Sequence, residues 1–165
     1  MCHRKTKMKK IELRGDRGRG NFVLVDDEDY GKLNKFKWCY GLNGYATRST
    51  YNLKTKKRGH EMMHRVISGQ KYIDHIDGNK LNNQKSNLRP ASFSENNFNL
   101  PKRKGTSSKY KGVYWYKAYK MWSVMLQKHR KRYFVGYFRD EDEAGKAYNE
   151  KAKELFGEFA RLNNI

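Results

Sequence analysis

Hydrophobic residues in this chain come in short runs at strand spacing, and only near the C-terminus do they recur at helical spacing. Ile11-Glu12-Leu13 and Asn21 to Val25 (NFVLV) predict two strands, separated by the glycine-rich turn Arg14-Gly15-Asp16-Arg17-Gly18-Arg19-Gly20. Further short strands are predicted at Phe36 to Tyr40 and Tyr45 to Arg48, with polar turns at Asn43-Gly44 and Lys54 to Gly59. Tyr72 to Ile76 reads as a strand, Asp77-Gly78-Asn79 as a turn and Asn87-Leu88-Arg89 as the returning strand. Ser92 with Glu95 three residues on predicts a capping box, which sets Asn96 on the first turn of a helix.

After the segment Asn99 to Ser108 the pattern is cleaner. Runs at Tyr110 to Tyr116, Met121 to Gln127 and Arg132 to Phe138 predict three strands joined by basic turns of four or five residues. Trp122, Val124 and Leu126 alternate with Ser123, Met125 and Gln127, and Tyr133 and Val135 with Arg132 and Phe134. One sheet face can therefore meet a helix while the other stays free. That helix has clear signals: Asp140 as cap, Glu143 completing a D-x-x-E box, then Ala144, Ala147, Tyr148, Ala152, Leu155 and Phe156, with Gly157 ending it.

Charge adds a partner to this outline. The 165 residues include 37 Lys and Arg against 17 Asp and Glu, a net charge of +20, so a polyanion is expected. Between Pro101 and Arg139 there are twelve Lys or Arg and no acidic residue, before Asp140-Glu141-Asp142-Glu143 reverses the sign. At 36% hydrophobic residues the chain suits two small cores rather than one large one, and 14% aromatics argue against disorder. Asn99 to Ser108, rich in Pro, Gly, Ser and charge, reads as the linker between them. No apolar run approaches the roughly 20 residues of a membrane span, and no apolar region follows the basic start, so an intracellular protein is expected. Residues 1 to 10 read as a flexible basic tail. Cys2 and Cys39 form no CxxC pair and are expected as reduced thiols, Cys39 buried beside Trp38 and Cys2 in the tail.

The chemistry lies in Asp74-His75. Phosphodiester hydrolysis needs a base to deprotonate water, a Lewis acid and something to orient the base. His75 has the intrinsic pKa for the first role. Asp74 and Asn96 offer oxygen ligands to a hard divalent ion such as Mg²⁺, and the Asn87 carbonyl could accept the other ring N–H of His75. His64 reads as a packed residue near such a site. Arg65 and Arg89 are as well suited to phosphate as to a carboxylate partner.

Met63-His64-Arg65, Asp74-His75-Ile76-Asp77-Gly78-Asn79, Leu81-Asn82-Asn83, Asn87-Leu88-Arg89 and Ser94-Glu95-Asn96-Asn97, in this order, resemble the HNH endonuclease family in its phage and homing branch, with the ββα-metal fold. The resemblance implies Asp74 and Asn96 as metal ligands, His75 as general base, Asn87 as orienting residue and Mg²⁺, or Mn²⁺ in its place, as cofactor. Residues 107 to 164 resemble an AP2 DNA-binding domain. That implies a sheet face on duplex DNA with contacts from Tyr114, Tyr116, Met125, Gln127, Arg132 and Phe134. Lys111, Lys117, Lys120, Lys128, Arg130 and Lys131 would add phosphate contacts. Several of these positions depart from the plant transcription-factor pattern, so its target does not transfer.

The expected protein is α+β: residues 1 to 98 a β-rich region with the HNH motif at about 63 to 98, residues 99 to 107 a basic linker, and residues 108 to 165 an AP2-like three-stranded antiparallel sheet on one helix. The expected activity is divalent-metal-dependent, site-recognising cleavage of double-stranded DNA, as a nick or a double break. The protein would be phage-encoded and act in a host cell as a monomer or weak dimer with no protein partner implied. The alternatives are an inactive DNA-binding regulator, and an RNA-binding or RNA-cleaving protein that stacks bases on its many tyrosines.

Overall fold

The computed structural model describes residues 7–165. Among these residues the chain is mixed α and β, with small sheets and four α-helices, in two compact units, one ending at Ala91 and the other spanning Ser92–Ile165.

In the first unit, β1 (Met8–Glu12) and β2 (Phe22–Asp26) pair antiparallel in the register Met8↔Asp26 to Glu12↔Phe22. Met8 to Lys10 thus belong to a strand rather than to the expected tail, and the tail's first six residues, with Cys2, lie outside the described residues. β2 runs directly into α1 (Asp27–Leu33), a helix that the apolar pattern does not announce, since its only apolar side chains are Tyr30 and Leu33. Asp27, Glu28 and Asp29 in its first turn suit the positive end of the helix dipole.

Trp38 is wholly buried and donates Nε1–H to the Leu33 carbonyl at 2.9 Å. β3 is only Cys39–Tyr40, shorter than the strand expected from Phe36, because the α1 exit turn still holds Phe36. Cys39 is exposed, against expectation: alternation along an extended chain sends the next side chain outward once Trp38 points in. β4 (Ala46–Asn52) pairs with β3 and with β5 (Lys57–Met62), so Lys57 to Gly59, expected in a turn, are strand. β5 has no buried residue and hence no alternation to read. It passes into α2 (Met63–Ser68), which buries Met63 and His64 and ends at Gly69 with φ +69°. The core joins Ile11, Leu13, Val23, Val25, Leu33, Trp38, Ala46 and Met63. β6 (Ile73–His75) and β7 (Leu88–Pro90) form the final hairpin.

The second unit begins with α3 (Phe93–Phe98), which has both halves of the predicted capping box, Glu95 N–H to Ser92 Oγ at 3.2 Å and Ser92 N–H to Glu95 Oε2 at 2.6 Å. β8 (Val113–Tyr116), β9 (Met121–Lys128) and β10 (Lys131–Phe138) form an antiparallel sheet in the order β10-β9-β8. The β9–β10 turn has two residues, not four or five: His129 and Arg130 both take positive φ, +49° and +66°, as a tight two-residue hairpin demands. A bulge between Phe134 and Gly136 shifts the register.

α4 (Glu141–Phe156) is capped by Asp140, whose Oδ1 accepts from Glu143 N–H at 2.8 Å, and packs Ala144, Tyr148, Ala152 and Phe156 on Val113, Val124 and Leu126. Gly112, at φ +74°, lies where an added Cβ would be 2.2 Å from the Tyr148 ring, so only glycine permits this packing.

The segment after α3 is tied down. The Phe98 ring stacks on Phe156 at 4.2 Å, and the Lys111 ammonium donates to the Phe98 and Leu100 carbonyls at 2.6 and 2.7 Å. Lys111 is therefore turned into the unit rather than toward a phosphate. Lys128 likewise donates to the Leu155 carbonyl near the end of α4.

Burial, and then the Arg161 charge, lower the Lys111 pKa to about 8. A lysine pKa lower in the folded than in the unfolded chain means that the unfolded state binds more protons between about 8 and the ordinary value of 10.5, so stability rises with pH across that window. Lys111→Met should cost about 1–3 kcal/mol at neutral pH through the two orphaned carbonyls, and should flatten that rise. Thermal melts of both proteins from neutral to alkaline pH check this; identical curves would place Lys111 in solvent.

Candidate active site

The site starts from the hairpin of β6 and β7. Ile73, Asp74 and His75 are all buried, and β7 brings Arg89 opposite Asp74. Arg89 donates Nε–H and Nη2–H to Asp74 Oδ2 at 2.9 and 2.6 Å, with both side chains about nine-tenths covered, at 11% and 7% exposure. Of its two suggested partners, Arg89 thus takes the carboxylate.

His75 is 4% exposed and its Nε2 lies 3.3 Å from Asn83 Oδ1. An amide oxygen only accepts, so Nε2 carries the hydrogen and the imidazole lone pair is on Nδ1. Sequence reasoning expected Asn87 to make this contact. Asn87 instead accepts the Asp77 N–H at Oδ1, at 3.0 Å, and donates through Nδ2 to Asp77 Oδ1 and the Asn82 carbonyl, at 2.9 and 2.8 Å. The side chain of Asn87 is used up in building the turn.

Asp77-Gly78-Asn79 is the expected turn, with Gly78 at φ +76°. The Asp77 carboxylate is its hub, accepting also from Asn79 N–H at 2.7 Å and Asn82 Nδ2 at 2.8 Å. Burial pushes the Asp77 pKa up, but hydrogen bonds from Asn82, Asn79 and Asn87 outweigh it and hold the carboxyl below its ordinary value.

Strand β2 positions Asn83. Leu24 N–H donates to the Leu81 carbonyl and Asn83 N–H to the Leu24 carbonyl, each at 2.8 Å. The buried Asp26 accepts from Gln84 Nε2 at 3.1 Å and Lys85 N–H at 2.8 Å. Asn83 is 1% exposed, and its Nδ2 has no hydrogen-bond partner among the described residues. A buried amide that forgoes one half of its bonding to present the other to His75 is an expensive arrangement.

Rings complete the setting. His64 meets His75 edge-on at 5.2 Å between centroids, and Tyr45 lies 4.8 Å from His64 and 5.7 Å from His75. Burial first, then the His75 and Arg65 charges, drive the His64 pKa down to about 3, so His64 is neutral across the physiological range. Burial also lowers the His75 pKa, against the Asn83 hydrogen bond and the charges of Asp77 and Asp74. Arg65 is exposed on α2. Tyr45 carried no signal in the sequence, because only the β3–β4 fold brings it here.

Asn96 is half-buried on α3, in the second unit. Among the described residues no group of three or more His, Cys, Asp or Glu is assembled. A carboxylate and an amide carbonyl are nonetheless the hard oxygen donors that suit Mg²⁺ with water completing its shell, so the residue types fit such an ion.

The chain is 37% identical over 154 residues to a protein of Acanthamoeba polyphaga mimivirus named "Uncharacterized HNH endonuclease L560", a match covering 90% of this chain and 78% of that protein. The chain belongs to the HNH endonuclease family. The HNH assignment made from the motifs thus stands on a relative along most of the chain. Protein 3.8 of Escherichia phage T7 is 39% identical over 93 residues, covering 55% of this chain and 74% of that protein. The mimivirus "Uncharacterized HNH endonuclease L245" is 32% identical over 100 residues, covering 55% of this chain and 28% of that protein. No family model and no solved structure matches this HNH protein. These three relatives are viral, and no helix among the described residues is long and apolar enough to cross a membrane.

Proposed function

We propose that the protein is a site-recognising, homing-type DNA endonuclease that hydrolyses phosphodiester bonds in duplex DNA with a divalent ion, Mg²⁺ or Mn²⁺. The observation that carries this reading is His75 Nε2 against Asn83 Oδ1, beside the Asp74–Arg89 pair, which leaves Nδ1 as the proton-accepting nitrogen. His75 deprotonates the attacking water through Nδ1. Following the family resemblance, Asp74 would supply an oxygen ligand to the ion, and the ion would supply neutralisation of the charge developing on the phosphate. Asn87 secures the turn after His75, and neutral His64 packs on the imidazole without competing for its proton. Arg65, exposed on α2, reaches a phosphate.

The second unit, read as AP2-like, holds the DNA. The free face of its sheet presents Tyr114, Tyr116, Met125, Gln127, Arg132 and Phe134, and its turns and the start of β10 present the exposed cations Lys117, Lys120, Arg130 and Lys131. Lys111 and Lys128 are not counted among the phosphate contacts, because their ammonium groups are spent on carbonyls.

Incubation of supercoiled DNA from the genome that carries this gene with protein and Mg²⁺ or Mn²⁺ tests the reading. Nicked or linear product that EDTA abolishes is expected, and intact DNA with either ion overturns it. Asn83→Ala should lower the cleavage rate about 10-fold, the worth of one orienting hydrogen bond of about 1.4 kcal/mol. It should add nothing in a protein that already lacks His75, which single-turnover kinetics on the double variant would read.

A further inference from the structure

The free face of the second unit's sheet has an unusual surface. Residues directly paired across strands share a face, so the register Tyr114↔Ser123↔Tyr137, Tyr116↔Met121, Met125↔Phe134 and Gln127↔Arg132 sets these side chains opposite α4. Four rings on and beside this face touch in a chain: Phe134 to Tyr137 at 4.9 Å, Tyr137 to Tyr116 at 5.4 Å, and both tyrosines to Tyr119 at 4.9 and 5.2 Å. They are 53%, 36%, 38% and 61% exposed in the order Phe134, Tyr137, Tyr116, Tyr119. Exposed rings that gather on one face, rather than scatter, mark a binding surface.

Charge selects the occupant. Lys117, Lys120, Arg130, Lys131 and Arg132 are exposed in the two turns and along β10, within a stretch that has no acidic residue. Reading the edges of paired bases needs hydrogen-bonding side chains. On this face Gln127 and Arg132, at one end, supply the amide and guanidinium groups, while Phe134, Tyr137 and Tyr116 present exposed rings. Rings set among cations suit bases that have left the duplex, because every base has a π-face and stacking on an aromatic side chain tolerates any sequence.

We propose that this face binds an unpaired stretch of DNA strand within the duplex substrate, with bases stacked on Phe134, Tyr137, Tyr116 and Tyr119 and phosphates along the basic turns. DNA as the source of the bases rests on the nuclease reading above. The face then prefers an opened or distorted duplex over a fully paired one.

Fluorescence anisotropy of the full chain in EDTA, with a labelled paired duplex, the same duplex carrying a mismatched bubble, and single-stranded RNA, tests this. The bubble should bind tighter than either. Phe134→Ala should weaken bubble binding by about 5- to 150-fold without changing its salt slope, as loss of one stacked base predicts, and Phe134→Trp should retain it. Lys117→Ala should reduce the salt slope. Equal losses for bubble and paired duplex would mean a groove-reading face and overturn the proposal, as would tighter binding of RNA or no effect of Phe134→Ala and Tyr137→Ala in proteins whose melts match the wild type. If the bubble is bound as expected yet DNA stays intact with Mg²⁺, the nuclease reading fails and this surface stands.

Discussion

His75→Ala is expected to lower the rate of DNA cleavage by two to four orders of magnitude, roughly the contribution of a positioned general base. On the proposed reading the loss would be chemical, because one orientation of the ring is prepared: Asn83 Oδ1 takes the Nε2 hydrogen, and neutral His64 meets the ring at 5.2 Å. Two readouts separate this from simple unfolding. DNA affinity in EDTA should stay within about twofold of wild type, since phosphate contacts dominate it. Added imidazole should restore part of the cleavage rate by entering the space that the side chain leaves. A variant that cleaves as well as the wild type would remove His75 from the chemistry altogether.

Arg89→Ala should destabilise the protein by about 3–5 kcal/mol, because it strips the paired charge from a buried carboxylate. Asp74 receives two N–H groups of one guanidinium on a single oxygen, in a site where both side chains are nearly covered. Removing the cation withdraws the countercharge from a covered carboxylate, which is costly. Arg89→Lys should lose less, since an ammonium keeps the charge but not the planar two-donor geometry. Urea unfolding of the three proteins at neutral pH gives the order. A variant within about 1 kcal/mol of the wild type would show that the pair contributes no more than an exposed ion pair does.

The exposed pairs offer a contrast. Lys9 with Asp27 and Lys109 with Asp142 are close, at 2.7 and 2.8 Å, but both lie at the surface. Surface pairs of this kind add little in water, so the +20 chain draws its stability from its two cores rather than from such contacts.

Much of the second unit was legible in the chain. Alternation at Trp122 to Gln127, the D-x-x-E box at Asp140 and the helical spacing of Ala144 to Phe156 predicted strands and helix that the structure places within a residue or so. Each is a local signal whose period matches the element it forms. The misses in the first unit have a common cause: α1 has too few apolar residues to set a period, and β5 has no buried face to alternate against. The two-residue turn at His129-Arg130 escaped because neither residue announces a positive φ as glycine or asparagine would.

The order of Met63-His64-Arg65, Asp74 to Asn79, Leu81-Asn82-Asn83, Asn87-Leu88-Arg89 and Ser94 to Asn97 was enough to bring the HNH family into view, since residue type and spacing are written in the chain. Which amide meets His75 was not. Asn82, Asn83 and Asn87 all follow within twelve residues and are chemically alike. Only β2, through the backbone bonds of Leu24 and the Asp26 carboxylate, decides that Asn83 takes the imidazole and Asn87 the turn. Likewise the sequence determined that the second unit is basic and aromatic, whereas strand register decided that Phe134, Tyr137, Tyr116 and Tyr119 meet at one exposed surface while Lys111 and Lys128 turn to carbonyls. Residue types fix the available chemistry locally, but which donor faces which acceptor is a matter of long-range packing, and no period along the chain encodes it.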